Sequence, residues 1–479
     1  MFVTVRLVFS LCQGYWESAI ENKAERHYRE KQNARCAVTI FYLGFRFMNI
    51  LLINPPNCGR SIPEERYGIT SLKQIFRGEP LALEELAGNL LEHHVRILDL
   101  KADPDGLNQA LLDFQPDVVG LTGVTCEANV MLQLAASIKE DCRATVVVGG
   151  IHASNDPAFF NHAAVDYIVV GIGKKNFADL VSVLESGNDK NPHLPGVIRP
   201  NPGGQLNLPQ VRNRVDDLVM ERPPAYELVS RYRSHYILEK LGINIGFVVS
   251  AYGCPHSCSF CSIKGQTGGS YLTKSIEAVI RDIKLLGKVP VIRLVDANTF
   301  GDVKRATALG RALLESGLNK QYLADIRSDT VVRHPEMLRE WKEAGLRAVI
   351  IGFEEIDDAS LAAMNKANKA AINTEAIAVL NDIGISIVGD FIISPDYDEN
   401  DFDRLRMYLA GKRIDLPMIT VMTPLPGTPL HIKQQHRIIN HNLDYYTLTN
   451  AVTKTKLEEK RFYTLYAQLL ADSHQNARL

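Results

Sequence analysis

Three of the chain's eight cysteines fall within eight residues, at Cys254, Cys258 and Cys261. The run Gly253-Cys254-Pro255-His256-Ser257-Cys258-Ser259-Phe260-Cys261 follows an apolar stretch, 246–250, that reads as a β-strand. The spacing Cys-x3-Cys-x2-Cys therefore lies on a loop leaving a strand end. Gly253 and Pro255 favour a loop that wraps a compact object over a helix. Three thiolates this close can each take one iron of a cubane, which leaves a fourth iron with an open coordination position. Two other readings stand beside this one. A structural zinc needs a fourth ligand, usually from a second Cys or His pair. The cysteines at 12, 36, 58, 126 and 142 show no paired spacing, and His256 is the near candidate. A redox pair of Cys258 and Cys261 leaves Cys254 without a role.

The cysteine loop opens a series of strand–helix units. Strands are predicted at 246–250, 291–295, 322–326, 348–352, 386–391 and 418–422, with helices at 276–286, 303–315, 336–343, 373–381 and 399–409. Six such units predict a partial (β/α)6 barrel over 241–430, with its active residues at the C-terminal strand ends. The class is α/β throughout, because 48–186 alternate in the same way. Strands are predicted there at 50–53, 95–100, 117–121, 145–148 and 166–170, and helices at 81–91, 107–114, 128–139 and 177–184. That order predicts a doubly wound parallel sheet, which binds ligands in the crevice beyond its strand carboxyl ends.

Those ends carry Asn54-Pro55-Pro56, Asp99-Leu100-Lys101, Thr122-Gly123-Val124-Thr125, Gly149-Gly150-Ile151-His152 and Gly171-Ile172-Gly173-Lys174. Small and hydroxyl-bearing residues there let a large flat ligand or a nucleotide approach the backbone. Turn formation alone also accounts for such glycines. His152 by itself reads as a hydrogen-bonded structural histidine. Residues 187–240 lose periodicity and gain Pro and Gly, so they form a linker. Residues 431–479 are expected as a helical tail. Residues 1–47 differ in character from the rest, and Met48 directly precedes the first strand. Translation is expected to start at Met48, with 1–47 a non-native or poorly ordered extension.

A net charge of −2 gives no electrostatic footprint for nucleic acid. No apolar run reaches the roughly 20 residues of a membrane span. So few cysteines exclude a disulfide scaffold and point to a reducing, cytoplasmic setting.

The CxxxCxxC loop at the head of a β/α series resembles the radical-SAM superfamily signature, with Phe260 as the aromatic before the last cysteine. Further stretches resemble family motifs in order: Val295-Asp296-Ala297-Asn298-Thr299-Phe300, Ile326-Arg327-Ser328-Asp329, Ile351-Gly352-Phe353-Glu354-Glu355, Met364-Asn365-Lys366, Gly389-Asp390-Phe391-Ile392-Ile393-Ser394-Pro395 and Thr423-Pro424-Leu425-Pro426-Gly427-Thr428-Pro429. Glu355 stands where the family has serine. The first domain, through ILLINPP, DVVGLTGVT, VVVGGIHAS and VDYIVVGIGKKNFADL, resembles the cobalamin-binding domain that precedes many radical-SAM barrels. In cobalamin domains generally, an Asp-x-His-x-x-Gly loop can supply a histidine ligand to the cobalt; here Lys101 occupies the histidine position. Lys174 closes a Gly-Ile-Gly-Lys run where the family usually shows Gly-Glu-Gly-Glu.

The resemblance implies a 4Fe–4S cluster held by Cys254, Cys258 and Cys261, whose open iron is chelated by S-adenosylmethionine (SAM). One electron cleaves the S–C5′ bond and gives a 5′-deoxyadenosyl radical that abstracts hydrogen from an unactivated carbon. It implies Phe260, Asp296, Arg327 and Glu354 as SAM contacts. It implies cobalamin bound without a histidine ligand, against Lys101, Thr122, Thr125, Gly149, Gly150, His152 and Gly171. For Arg327, Glu354 and Asp296 an ordinary ion pair is the competing role. Methylation of a small or lipid-like substrate follows, with an electron donor such as a flavodoxin or ferredoxin. Ring formation or oxidation with the same cofactors is the alternative within enzymes. A cobalamin-binding sensor with a dead barrel is the alternative outside them, and retention of all three cysteines disfavours it. The aromatic C-terminal stretch, Tyr445, Tyr446, Leu448, Ala451, Val452, Phe462, Tyr463 and Tyr466, resembles the tail of hopanoid C-3 methylases. An amphipathic helix packed over the barrel is the competing explanation.

Overall fold

Ile50, Leu51, Leu52 and Ile53 are all fully buried. A strand covered on both faces requires such a continuous apolar run. It forms the first strand, β1 (Asn49–Asn54), of a six-stranded sheet. The structure, a computed structural model, describes residues 47–71, 78–187, 194–208, 222–238, 243–475 and 477. The expectation for residues 1–47 falls outside these but for Phe47. Parts of the linker, 188–193, 209–221 and 239–240, also fall outside, as do 241–242 at the start of the barrel region.

The first sheet continues through β2 (His94–Asp99), β3 (Val118–Thr122), β4 (Thr145–Gly149), β5 (Tyr167–Val169) and β6 (Val197–Ile198). Its order is β2-β1-β3-β4-β5-β6, parallel except for the β5–β6 pair. The strand order reverses between β1 and β3, so the topological switch point lies there, the usual ligand crevice of such sheets. Helices Leu107–Phe114, Ala128–Asp141 and Lys174–Glu185 cover the faces.

The second sheet uses β7 (Ile237–Leu238), β8 (Ile243–Val248), β11 (Val291–Leu294), β12 (Gln321–Ile326), β13 (Leu346–Glu354), β14 (Ser386–Ile393) and β15 (Leu416–Val421), in the order β15-β14-β13-β12-β11-β8-β7. Six strands run parallel, and β7 adds an antiparallel edge. No pairing joins β8 to β15 among the described residues, so the barrel is partial. Helix starts are set by local caps: Ser275 accepts from the Ala278 amide, and Asp302 from the Arg305 amide. A short hairpin, β9 (Ala251–Gly253) with β10 (Tyr271–Thr273), brackets the cysteine loop. Three-residue strands leave too little alternation to be read from sequence.

Met48–Ser182 and Lys190–Leu479 cluster as one compact unit. The described part of the linker is packed rather than free. The Tyr236 hydroxyl donates to Asp99 at the end of β2 (2.8 Å), and that of Tyr226 to the Phe247 carbonyl of β8 (2.9 Å). Among its described residues the C-terminal stretch is helical at Pro429–Gln434 and Glu459–Gln475, apart from short 3-10 turns. Between them Leu443, Tyr446 and Val452 enter the apolar core of the first sheet. Phe462, Tyr463 and Tyr466 enter the core of the barrel.

Candidate functional site

Gly253 opens the cysteine loop at φ +81°, and a Cβ there would lie 2.0 Å from the Ser270 carbonyl. Only glycine fits that approach. Asp296, beyond the end of β11, fixes the strand end before it. Its Oδ2 accepts from Ser250 Oγ (2.6 Å), and its Oδ1 accepts from the amides of Ser250 (2.7 Å) and Ala251 (2.9 Å). Both oxygens of Asp296 are thus committed to the loop base, and the residue does not line the cavity described next. Farther along, the Ser259 amide donates to the Met364 carbonyl (2.9 Å) and Asn365 Nδ2 to the Ser257 carbonyl (2.8 Å). Phe260 packs on Met364, Met422 and Leu430. The loop is therefore clamped at its base and along its length.

The three cysteines are half-buried free thiols. They line a cavity of about 270 Å³ at the C-terminal strand ends, together with Phe260, Arg327, Glu354, Asp325, Lys366 and Asp390. Burial raises the thiols of Cys258 and Cys261, the latter to about 11, although Lys366 opposes the rise. Among the described residues no three Cys, His, Asp or Glu side chains converge on a single metal ion. Cluster thiolates bind separate irons and need no such convergence. Arg327 donates to Asp329 (2.9 Å) and to the carbonyls of Lys366 (3.0 Å) and Ala367 (3.2 Å). Lys366 pairs with Glu354 at 2.6 Å, both buried, and Glu354 holds φ +65°. Asp325 pairs with Arg293. A separate groove of about 640 Å³, lined by Arg406, Lys412 and Leu469, carries none of the cysteines.

Lys366, Asp325 and Asp390 were absent from the sequence-derived site. Lys366 and Asp390 do fall within the family-like stretches Met364-Asn365-Lys366 and Gly389-Asp390-Phe391, and Asp390 is also the charged residue inside the apolar strand SIVGDFII.

In the first domain, Thr122, Gly149, Gly150 and Gly171 line a narrow cleft of about 60 Å³, with Leu52, Gly120, Phe177 and Gln266. Gly150 sits at φ +93°, and a Cβ there would lie 2.4 Å from Thr122 Oγ1; a Cβ on Gly120 would lie 2.8 Å from Leu52. The other three expected contacts lie elsewhere. Lys101 is ion-paired with Glu127 (2.7 Å), and Thr125 is buried in the turn before helix Ala128–Asp141. His152 is buried edge-on to Phe159 and Phe160, in the helix Gly150–Asn155. Neither ring nitrogen has a hydrogen-bond partner, which corrects the expectation of a hydrogen-bonded histidine. Burial holds its pKa down at about 4.

A buried ionic network joins the cleft to the cysteine loop. Glu85, on helix Leu81–Ala87, accepts from Lys274 (2.8 Å) and lies 3.6 Å from Lys174. Lys274 also reaches Asp282 (2.9 Å), and the hydroxyl of Tyr252, two residues before Cys254, donates to Glu85. Burial pushes the Glu85 carboxyl up, but Lys274 and Lys174 outweigh it and hold the pKa at about 2. Lys174, the departure from the family pattern, is thus one partner of this network.

Two family matches fall on these two regions. Residues 73–181 match the B12 binding domain, and residues 248–409 match the radical SAM superfamily. The chain is a cobalamin-binding-domain-containing radical SAM protein, and an enzyme. The groups such domains take are cobalamin, SAM and, in a solved structure of this fold, a 4Fe–4S cluster. It is 29% identical over 407 residues to the hopanoid C-3 methylase of Methylococcus capsulatus, covering 82% of this chain and 75% of the relative. It is 24% identical over 355 residues to the anaerobic magnesium-protoporphyrin IX monomethyl ester cyclase of Synechocystis, covering 67% and 64%. Its fold matches that of the radical S-adenosylmethionine methyltransferase TsrM from Kitasatospora setae, with TM-score 0.70 over 91% of each chain at 16% identity.

The residues present fit these groups. Three free thiols share one cavity with paired cations, and the cleft has glycines where a side chain would clash. Among the described residues no helix is long and apolar enough to cross a membrane.

Proposed function

We propose that this chain transfers a methyl group to an unactivated carbon of a small or lipid-like substrate. When bound, the cluster and SAM supply reductive radical chemistry, and cobalamin carries the methyl group. Cys254, Cys258 and Cys261 hold three irons of the cluster. Arg327, Glu354 and Phe260 border SAM. Asp296 acts through Ser250 and Ala251, by fixing the loop. Thr122, Gly149, Gly150 and Gly171 border cobalamin, and Lys101 closes the switch-point side through Glu127. The carrying observation is the three-thiol cavity at the barrel strand ends, tied to the glycine-lined cleft by the Glu85–Lys274–Tyr252 network. The likeness to a hopanoid methylase supports a lipid-like substrate. A reduced flavodoxin or ferredoxin in the cytoplasm completes the system.

The protein is reconstituted anaerobically with iron, sulfide and cobalamin, then given SAM labelled in its methyl group, reductant and candidate lipids. Reductant-dependent 5′-deoxyadenosine, S-adenosylhomocysteine and labelled product are expected. Absence of both SAM-derived products overturns the reading. The likeness to a cyclase favours the alternative of ring formation, which gives 5′-deoxyadenosine with no label in product.

A further inference from the structure

The cavity that carries the cysteines also carries three carboxylates, and they are not equivalent. Glu354 is paired with Lys366 at 2.6 Å, and Asp325 with Arg293. The cation Arg327 is itself engaged by Asp329 at 2.9 Å. Asp390 lines the same cavity from the middle of β14, opposite Gly352 of β13. Its carboxylate has no hydrogen bond and no ion pair among the described residues. Asp390 is half-buried at the cavity wall, and a carboxylate partly withdrawn from water without a partner gains from a cation beside it.

SAM brings such a cation. Its sulfonium carries a permanent positive charge. Glu354 and Asp325 are already taken by Lys366 and Arg293, so Asp390 is the cavity carboxylate left to face that charge. From this we infer that Asp390 is the counter-ion for the sulfonium of bound SAM. The inference rests on the radical SAM reading of this cavity and adds to it a residue selective for the charged cofactor.

The groups around Asp390 bias its ionisation. Burial raises its pKa to about 8; Glu354 on β13 and Asp325 on β12 add to the rise, while Lys366 and Arg293 on β11 oppose it. At pH 7 Asp390 is therefore mostly protonated, and an arriving cation favours the ionised form. Binding SAM then releases a proton that binding S-adenosylhomocysteine, a neutral thioether, does not. Any proton lost from the amino group on iron chelation is common to both ligands and cancels in the difference.

The test is titration calorimetry on the anaerobically reconstituted enzyme, with SAM and S-adenosylhomocysteine, in buffers of different ionisation enthalpy. At pH 7 the wild type is expected to release about one more proton for SAM than for S-adenosylhomocysteine, and that difference is expected to vanish at pH 9. D390N, with iron content equal to wild type, is expected to lose the proton difference and to lower the SAM-over-S-adenosylhomocysteine affinity ratio by about tenfold. Equal proton counts for the two ligands in the wild type at pH 7 overturn the inference, with no variant needed. So does a D390N enzyme that keeps both the wild-type ratio and the proton difference. A wild type that binds neither ligand overturns the radical SAM reading itself, and this inference with it.

Discussion

Asp296 and Ser250 meet at the base of the cysteine loop, Ser250 Oγ donating to Asp296 Oδ2 at 2.6 Å while the Ser250 amide donates to Oδ1 at 2.7 Å. The carboxylate ties the end of β11 to the end of β8 directly before the residues that carry the thiols. Its role is to hold a loop, and a side chain that holds a loop has a testable signature in cluster retention.

Asp296→Ala leaves the amides of Ser250 and Ala251 and the Ser250 hydroxyl buried without acceptors. A loss of roughly 3 kcal/mol in stability is expected. Reconstituted iron content should fall with it, because the loop base is released. Denaturant titration and an iron assay on the same preparation check both. Normal iron content in a destabilised variant would separate the loop base from the cluster site.

The three cysteines are expected to act as one site. The triple variant C254A/C258A/C261A should hold close to no iron after reconstitution and lose the visible absorbance of the cluster. Cobalamin binding should persist, since the glycine-lined cleft lies on the other sheet. Iron content unchanged from wild type would defeat the cluster assignment.

Gly150→Ala places a Cβ 2.4 Å from Thr122 Oγ1 at a φ of +93°. The backbone strain alone is expected to cost about 1–2 kcal/mol. Hydroxocobalamin affinity, measured by equilibrium dialysis, should drop at least about tenfold, because the cleft floor must shift. Unchanged affinity would remove this cleft from the cobalamin site.

Glu355 stands where the resembling family has serine. Burial raises its pKa to about 7, while hydrogen bonds from the Tyr397 hydroxyl, 2.7 Å from each carboxylate oxygen, oppose the rise. A carboxyl whose folded pKa lies above its unfolded value of 4.5 binds its proton more tightly when folded. Its contribution therefore turns unfavourable as pH rises from 4.5 to about 7 and stays so above. E355Q is expected to be more stable than wild type at pH 8, by up to about 3 kcal/mol, with the gap closing by pH 4. Denaturant midpoints across that range read the sign directly.

Much of the architecture was legible because it is written locally. Helices 107–114 and 303–315 coincide with the observed Leu107–Phe114 and Val303–Glu315, since apolar spacing in both, and the Asp302 cap in the second, need no distant partner. The cysteine spacing is local too, as is its placement just after a strand. The helix Gly150–Asn155 went unread because Gly-Gly-Ile-His looks like a turn until the chain packs it against Phe159 and Phe160.

The sequence by itself determined two α/β domains, three clustered thiols and glycines at strand ends, each a property of neighbours along the chain. Only the tertiary structure decided what those residues face. Glu85 meets Lys274 across 189 positions, Tyr446 leaves its own helix-poor tail for the core of the first sheet, and Asp390 ends without a partner in the thiol cavity. Such pairings are set by burial, which fixes the energy of every charge by the partners that long-range folding brings beside it.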